Sequence, residues 1–187
     1  MREAILGAQK SIYLESYILT DDPITHGFFE ELKQKARAGV KVKIVLDRLA
    51  DLWYGSIDKD EFQKAGAEIT LFNRWLFHGT HRKVLIIDDE IAFLGGVNVG
   101  GEYAKWLDLH IRLASPLLVR NLLRSFGRVY ELAGGEDKEI LKLRKSKNFF
   151  KARAALHRAK FWLRERWPLK GKSEFKKYYI KKCREAK

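Results

Sequence analysis

The chain has a single cysteine, Cys183, among its 187 residues. One cysteine cannot form an internal disulfide, and its isolation excludes a zinc site built from several cysteines. No apolar run reaches the ~18 residues that a membrane-spanning helix needs, and the first residues lack the basic and apolar segments of a signal peptide. These absences predict a cytoplasmic protein, or one held peripherally at the inner face of a bacterial-type membrane.

Charge is distributed unevenly along the chain. Residues 1–135 contain 18 Lys and Arg against 18 Asp and Glu, whereas residues 136–187 contain 19 against 6, so the whole net charge of +13 lies in the last part. A hydrophobic content of 46% is sufficient for one sizeable core. We therefore expect a globular domain at 1–135, followed by a basic, aromatic helical extension at 136–187.

Strand and helix patterns alternate within residues 1–135. This alternation predicts an α/β fold with a mixed β-sheet flanked by helices. The helix after the last strand is expected to begin with Ser115 as its N-cap and Pro116 in its first turn. The other predicted elements are strands at 11–19 and 40–47 with a helix at 24–39 between them, a helix end and strand within 62–72, a hairpin about Asp89 and Glu90, and a strand at 107–113. A motif between these strands is expected near one edge of the sheet.

The densest set of reactive side chains lies in residues 81–98, HRKVLIIDDEIAFLGGVN, which fit the pattern H-x-K-x4-D-x6-G-G-x-N. Side chains alternate along a strand, so His81 and Lys83 are expected to leave the same face. A neutral imidazole can attack phosphorus while the lysine offsets charge on the non-bridging oxygens, and Asn98 can donate further hydrogen bonds. The pattern predicts phosphodiester chemistry that needs neither a metal nor a cofactor.

Two other positions of this segment have different expected roles. Gly96, together with Gly95, is expected to let the backbone approach the substrate phosphate closely. By strand parity Asp88 points off the face opposite to His81, which favours a structural role over proton transfer. The alternative for the whole segment is a buried hairpin whose histidine and lysine are incidental.

The segment resembles the repeated motif of the phospholipase D superfamily, and the resemblance extends over roughly residues 1–133. It is closest to the cardiolipin synthase-like branch, because GGVN, Glu102-Tyr103 and the spacing of Trp106, Asp108 and His110 occur in that order, whereas the nuclease branch usually reads G-S-x-N. The resemblance implies a covalent phosphohistidine, with His81, Lys83 and Asp88 as catalytic positions. It also implies phosphatidyl transfer or phospholipase D activity on phospholipids.

The nucleophilic histidine needs an acceptor on its second ring nitrogen, which fixes the tautomer and stabilises the imidazolium. The resemblance places this carboxylate at Asp108; the alternative is a surface carboxylate on a half-exposed strand. His110 shares a face with Asp108. We expect His110 and Glu15 to support the catalytic groups from behind.

The mechanism implied by the resemblance needs a second histidine to protonate the leaving alcohol. A second motif after residue 187 is one expected source, since the last residues echo those before the first strand; pairing of two chains across a two-fold axis is the other. His26, His78 and His157 are alternatives, although none has a lysine two residues later. A metal pair at His78 and His81 lacks a supporting cluster of carboxylates or cysteines.

The extension at 136–187 places Trp162 and Trp167 among lysines and arginines at helical spacing. Such a helix can lie in the interface of an anionic membrane. A basic helix packed on its own domain and a nucleic-acid groove are the alternatives. For the chain as a whole, the rivals to a phospholipid transferase are a homodimeric endonuclease or phosphodiesterase of the same chemistry, and a non-catalytic membrane-binding half.

Overall fold

The computed structural model describes residues 1–54, 58–73, 79–145 and 184–185. The chain divides after Ser146 into two units, and the helices and strands named here belong to the first. They are α1 (Arg2–Gly7), β1 (Ser11–Ser16), α2 (Pro23–Arg37), β2 (Lys41–Asp47), α3 (Arg48–Tyr54), α4 (Lys59–Lys64), β3 (Glu68–Phe72), β4 (Val84–Ile87), β5 (Ile91–Gly95), a 3₁₀ turn (Tyr103–Lys105), β6 (His110–Leu113), α5 (Pro116–Leu132) and α6 (Lys138–Lys145).

The six strands form one mixed sheet in the order β3-β2-β1-β4-β5-β6. Strands β1, β2 and β3 run parallel, whereas β4 is antiparallel to β1 and is followed by two further antiparallel pairings. The predicted α/β fold with a mixed sheet is confirmed. Strand β4 lies inside the sheet, between β1 and β5, and not near its edge as expected.

An internal position suits β4 because all four of its side chains are buried. Leu85 and Ile87 join the core that packs under α1, α2 and α4, and Val84 and Ile86 join the core under α5 and α6. A strand buried on both faces reads as a continuous apolar run, as VLII does. This strand therefore holds the residues before and after it at the two ends of an internal strand of the sheet.

The two long helices begin where the sequence predicts. The carboxylate of Asp22 accepts the amides of Ile24 and Thr25 at 2.8 and 3.0 Å, with Pro23 in the first turn of α2. Ser115 and Pro116 open α5 in the same way, although the Ser115 side chain makes no capping hydrogen bond. Two strands are shorter than expected, because β1 ends at Ser16 and β6 begins at His110. Helix α3 was not predicted from the sequence.

The compact unit continues past residue 135. Ile140 of α6 is buried against α5, and the Tyr130 hydroxyl donates to Glu68 at 2.7 Å while accepting the amide of Asp137 at 3.2 Å. Residues 136–145 are thus tied to the sheet and to α5. The rest of the expected basic extension lies outside the described residues, except for residues 184 and 185.

Candidate active site

The candidate site lies where the chain enters β4. Since β4 is antiparallel to β1, and β1 is parallel to β2, the residues just before β4 lie beside the residues that end β1 and β2. His81 is exposed in this segment, whereas Lys83 is 6% exposed. The main chain of Lys83 accepts the amide of Gly95 at 3.3 Å, so the ladder to β5 continues through this residue.

His81 and Lys83 come together as their spacing predicts. The Lys83 Nζ lies 3.2 Å from Nδ1 and 3.3 Å from Nε2 of His81, and it donates to the His81 carbonyl oxygen at 2.9 Å. An ammonium can only donate, so it requires an unprotonated ring nitrogen as its partner. The arrangement holds a neutral imidazole beside a cation.

The environment of His81 and Lys83 lowers the pKa of both side chains. Burial and the neighbouring charge of Lys83 lower the pKa of His81 from 6.5, and the carboxylate of Asp47 opposes this shift. Burial lowers the pKa of Lys83 to about 8, with Asp108 opposing. At neutral pH the imidazole is therefore mainly unprotonated and the lysine mainly charged, which are the forms that a nucleophile and an anion-stabilising group require.

Two buried carboxylates fix the main chain around His81. Asp47, 1% exposed, accepts the amide of Thr80 at 2.8 Å, and the Thr80 hydroxyl donates to Glu15, which is fully buried. Glu15 also lies 3.4 Å from the guanidinium of Arg82. Glu15 thus contacts the residues on both sides of His81, and its supporting role in the site stays a prediction. Sequence analysis assigned no role to Asp47; a carboxylate as the last residue of a buried strand was the available signal.

The loop after β1 completes one side of the site. Asn98, 9% exposed, accepts the amide of Ile18 at 3.3 Å through its side-chain oxygen. The neighbouring Tyr17 places its ring 4.5 Å from the His81 ring and 5.1 Å from the Lys83 Nζ, measured to the ring centroid. Asn98 is therefore near the catalytic pair through this loop. Sequence reasoning assigned no role to Tyr17.

Gly95 ends β5 and Gly96 follows it, and both lie close to the segment that leads into β6. A Cβ atom on Gly96 would collide with the carboxylate of Asp108, and one on Gly95 would collide with the main chain of Leu109 and with His110. The absence of a side chain at Gly96 therefore leaves room for Asp108. The approach of a phosphate to this backbone stays a prediction. Among the described residues Asp108 makes no hydrogen bond to His81, and its charge acts on Lys83 and His110.

His110 pairs with Gly95 in the sheet and lines a small cleft together with Lys83. Burial lowers its pKa from 6.5, and Asp108 opposes that shift. His110 therefore lies beside the catalytic pair, on the same side as Asp108.

Asp88 lies at the opposite end of β4 from His81. Its carboxylate accepts the amides of Gln9, Lys10 and Ser11 at 2.9, 2.7 and 2.9 Å. Asp88 and Asp89 have φ of +53° and +62° and, with Glu90, close the hairpin to β5, in which Ile87 pairs with Ile91. Four strand residues separate Asp88 from the residues around His81, as the expected structural role requires. Its grouping with the catalytic positions stays a prediction.

The other histidines are placed apart from the site or lie outside the described residues. His26 pairs with Asp21 at 2.6 Å and lines a separate cavity of about 230 Å³ between α2 and α4. His78 and His157 are outside the described residues. Within the described part of the chain, no group of three or more side chains is arranged to hold a metal ion. No helix in that part is long and apolar enough to cross a bilayer.

Comparison with solved structures places the fold among phospholipase D family proteins. Nuc from Salmonella typhimurium, a phospholipase D family member, superposes with a TM-score of 0.59 at 25% identity, covering 70% of this chain and 84% of Nuc. A phosphatidylserine synthase from Haemophilus influenzae shares the fold, with a TM-score of 0.54 at 18% identity over 77% of this chain and 40% of that one.

Comparison of the sequence with those of curated proteins identifies relatives that are cardiolipin synthases. The cardiolipin synthase of Clostridium perfringens strain 13 is 32% identical over 155 residues, which cover 75% of this chain and 32% of the relative. The probable cardiolipin synthase YwiE of Bacillus subtilis is 30% identical over 131 residues, or 62% of this chain and 26% of the relative. The chain thus spans about a third of the length of these curated relatives. The model of the cardiolipin synthase PLD-like domain matches residues 1–130, and the chain belongs to that family.

Proposed function

We propose that this chain is one catalytic lobe of a phosphatidyltransferase that acts on phospholipids through a phosphohistidine. The observation that carries the proposal is the pairing of His81 with Lys83 at 3.2 Å, with the pKa of both groups lowered. Membership of the cardiolipin synthase PLD-like family supports phospholipids as the substrate class.

In the first step an unprotonated nitrogen of His81 attacks phosphorus, and the bond between phosphorus and the leaving alcohol breaks. Lys83 stabilises the negative charge on the non-bridging oxygens, and a second acid protonates the departing alkoxide. In the second step the acceptor alcohol loses its proton to that group and attacks phosphorus. The phosphorus–nitrogen bond breaks, and the imidazole is regenerated.

Asp108, Asn98 and His110 are proposed to assist this reaction. The position of Asp108 against Gly96, with its charge acting on Lys83, suits a carboxylate that stabilises the cationic states of the site. His110 lies near enough to Asp108 for the charge of this carboxylate to raise its pKa, in opposition to burial. Asn98 holds the loop beside His81, and its amide nitrogen is a candidate donor to the phosphate.

A lipid substrate is further supported by the segment that contains Asp108. Trp106, Leu107 and Leu109 are 63%, 106% and 69% exposed, so large apolar side chains surround this carboxylate on the surface. Exposed apolar clusters mark surfaces that meet a membrane or another protein. We assign this cluster to the approach of a lipid or of the second lobe.

The second acid is proposed to come from another motif-bearing lobe, either later in a longer polypeptide or in a partner chain. The described part of the chain supports this, since His26 is engaged with Asp21 and lines another cavity. The basic residues of 136–187 are proposed to hold the lobe peripherally on an anionic inner-membrane surface.

The test of the proposed reaction combines this chain with the second motif-bearing lobe on vesicles that contain phosphatidylglycerol, and follows the lipid products by mass spectrometry. Diphosphatidylglycerol and free glycerol are the expected products, and they should persist in EDTA because Lys83 meets the phosphate charge. An activity lost in EDTA and restored by Mg²⁺ or Zn²⁺ would contradict the metal-free mechanism.

A nuclease or phosphodiesterase that works as a homodimer is the second candidate. The specific observation in its favour is the superposition on Nuc, in which this single lobe covers 84% of the compared chain. Cleavage of single-stranded oligonucleotides by a dimer of this chain, with no transfer between lipids, would favour it. Binding to anionic vesicles that weakens on Trp162→Ala and Trp167→Ala would instead favour the lipid enzyme.

A further inference from the structure

Tyr17 directly follows β1, and its ring contacts both members of the catalytic pair. The ring centroid lies 4.5 Å from that of His81 at an interplanar angle of 53°, and 5.1 Å from the Lys83 Nζ. We propose that Tyr17 is a positioning residue whose aromatic face stabilises the cationic form of His81 and holds the Lys83 ammonium beside it. This inference rests on the proposed function, since it concerns the step that charges the imidazole.

The physical basis is the negative face of an aromatic ring, which attracts a cation placed within about 6 Å of its centroid. Neutral imidazole gains little from that face. Once a ring nitrogen bonds to phosphorus, the imidazole becomes positively charged and gains more. An interaction that strengthens during the reaction accelerates it without tightening substrate binding.

The site needs such a partner because the other influences on His81 oppose its positive charge. Burial and the cation of Lys83 both lower its pKa, and Asp47 alone among the facing carboxylates raises it. These influences keep the imidazole nucleophilic, but they also disfavour the cationic intermediate. In the described part of the chain Asp108 makes no hydrogen bond to His81, whereas the Tyr17 ring lies against the imidazole with its centroid 4.5 Å away.

The position of Tyr17 is set by its neighbours on both sides. The Ser16 hydroxyl donates to the carbonyl oxygen of Ile18 at 3.4 Å, and the amide of Ile18 donates to Asn98 at 3.3 Å. Tyr17 itself is half-buried. The asparagine of the motif therefore also fixes the loop from which the aromatic ring reaches the histidine.

A series of rings with the same shape and falling electron density isolates this effect from packing. Tyr17 is replaced by Phe, and then by mono-, di- and trifluorophenylalanine, whose faces bind cations progressively more weakly. The reaction followed is the burst of nitrophenolate from bis(p-nitrophenyl) phosphate, because this leaving group departs without protonation. A single lobe can then complete the first step without a second acid.

The burst rate of Tyr17→Phe should lie within about threefold of the parent, since both rings have similar faces. Along the fluorinated series the rate should fall stepwise, by roughly 2- to 30-fold in total, with the KM unchanged. The burst rate of Tyr17→Leu, which has no ring, should be reduced by a factor in the same range. Fluorination of Phe126, which stacks on Tyr13 in the other core, serves as the control and should leave the rate unchanged.

An NMR titration of His81 measures the same interaction without any reaction. Its resonance is assigned by comparison with His81→Asn. Because the series weakens the attraction of the ring for a cation, the pKa of His81 should fall stepwise as the ring loses electron density. The Phe126 control should leave this pKa in place.

The two readouts separate the inference from the function on which it rests. A stepwise fall in both the pKa and the burst rate supports the role of Tyr17. A pKa that stays constant across the series overturns it, whatever the rates do. A falling pKa in a chain that forms no phosphohistidine overturns the proposed function and leaves the interaction between the ring and the imidazolium supported.

Discussion

The two ends of β4 hold polar residues of the same sequence motif in opposite conditions. At one end, the carboxylate of Asp88 accepts three backbone amides. At the other, His81 is exposed, and Lys83 is 6% exposed with its charged form disfavoured. Polar groups whose partners are satisfied stabilise a fold, whereas groups held with a lowered pKa beside a cleft are suited to chemistry. The motif therefore combines a structural end with a reactive end.

The pKa shifts at the two ends also have different causes. At Asp88 burial raises the pKa, but the hydrogen bonds from Ser11, Lys10 and Gln9 outweigh it, so the pKa is lowered. At Lys83 burial dominates and lowers the pKa to about 8. Folding thus favours the charge of Asp88 and disfavours that of Lys83. Substitutions at the two ends are expected to have opposite effects on stability.

The largest expected effect is the loss of the nucleophile. His81→Asn should reduce phosphodiester cleavage by more than about a thousand-fold, since the covalent step has no substitute. The melting temperature should stay close to that of the parent, because the imidazole is exposed. Near-normal cleavage by folded His81→Asn protein would remove His81 from the mechanism.

Lys83→Met should separate activity from stability. Cleavage should fall by about 10²–10³-fold through loss of a donor to the phosphate oxygens. Folding lowers the pKa of Lys83 from 10.5 to about 8, so the charged lysine destabilises the fold below about pH 8. This penalty disappears as the pH rises through 8 to 10.5.

Without the lysine, the free energy of unfolding at pH 7 should rise by about 1–3 kcal/mol. Urea denaturation measures this change. A Lys83→Met variant less stable than the parent at pH 7 would contradict the account of the reactive end.

Asp88→Ala should show the opposite behaviour. Removing the acceptor of three amides should lower the free energy of unfolding by about 2–4 kcal/mol, while the cleavage rate per folded molecule stays within about twofold. Asp88→Asn keeps one acceptor oxygen and tolerates a positive φ, so its loss should be smaller. A large fall in rate at unchanged stability would place Asp88 among the catalytic groups.

The smallest expected effect is a decline of kcat/KM at alkaline pH. Lys83 should lose its charge as the pH rises through about 8, so kcat/KM should decline above that pH. The value of kcat/KM should also decline in acid, because His81 becomes protonated below pH 6.5. Lys83→Arg should remove the alkaline decline, because a guanidinium stays charged. Lys10→Arg, at the Asp88 end of β4, is the matched control, and this variant should retain the alkaline decline of kcat/KM. An alkaline limb that survives Lys83→Arg would assign it to another group.

The sequence predicted the fold and the reactive pair because both depend on local periodicity. Alternation placed His81 beside Lys83, and Ser115 with Pro116 placed the start of α5. The contacts it could not predict cross between strands. Tyr17 on His81 and Asp47 on Thr80 depend on the order of the strands and on their register, neither of which a single sequence specifies. The occupant of the space at Gly96 depends on the same register.

The boundary of the compact unit was missed for a different reason. Charge begins to accumulate at residue 136, but Ile140 is buried and Tyr130 binds the amide of Asp137. Net charge reflects the solvent-exposed faces of a segment. It gives no indication that a helix in that segment also has an apolar stripe that packs against its neighbour. Composition therefore marked a boundary at residue 136, whereas the compact unit extends to Ser146.

The most direct test of the central claim is to trap the covalent intermediate. The chain is mixed with bis(p-nitrophenyl) phosphate, quenched in alkali, which preserves phosphohistidine, and digested for mass spectrometry. The account predicts about one equivalent of nitrophenolate in the burst, with the aryl phosphate on His81 and no adduct in His81→Asn. Cleavage of the diester with no adduct on His81, or with the adduct on another residue, would contradict it.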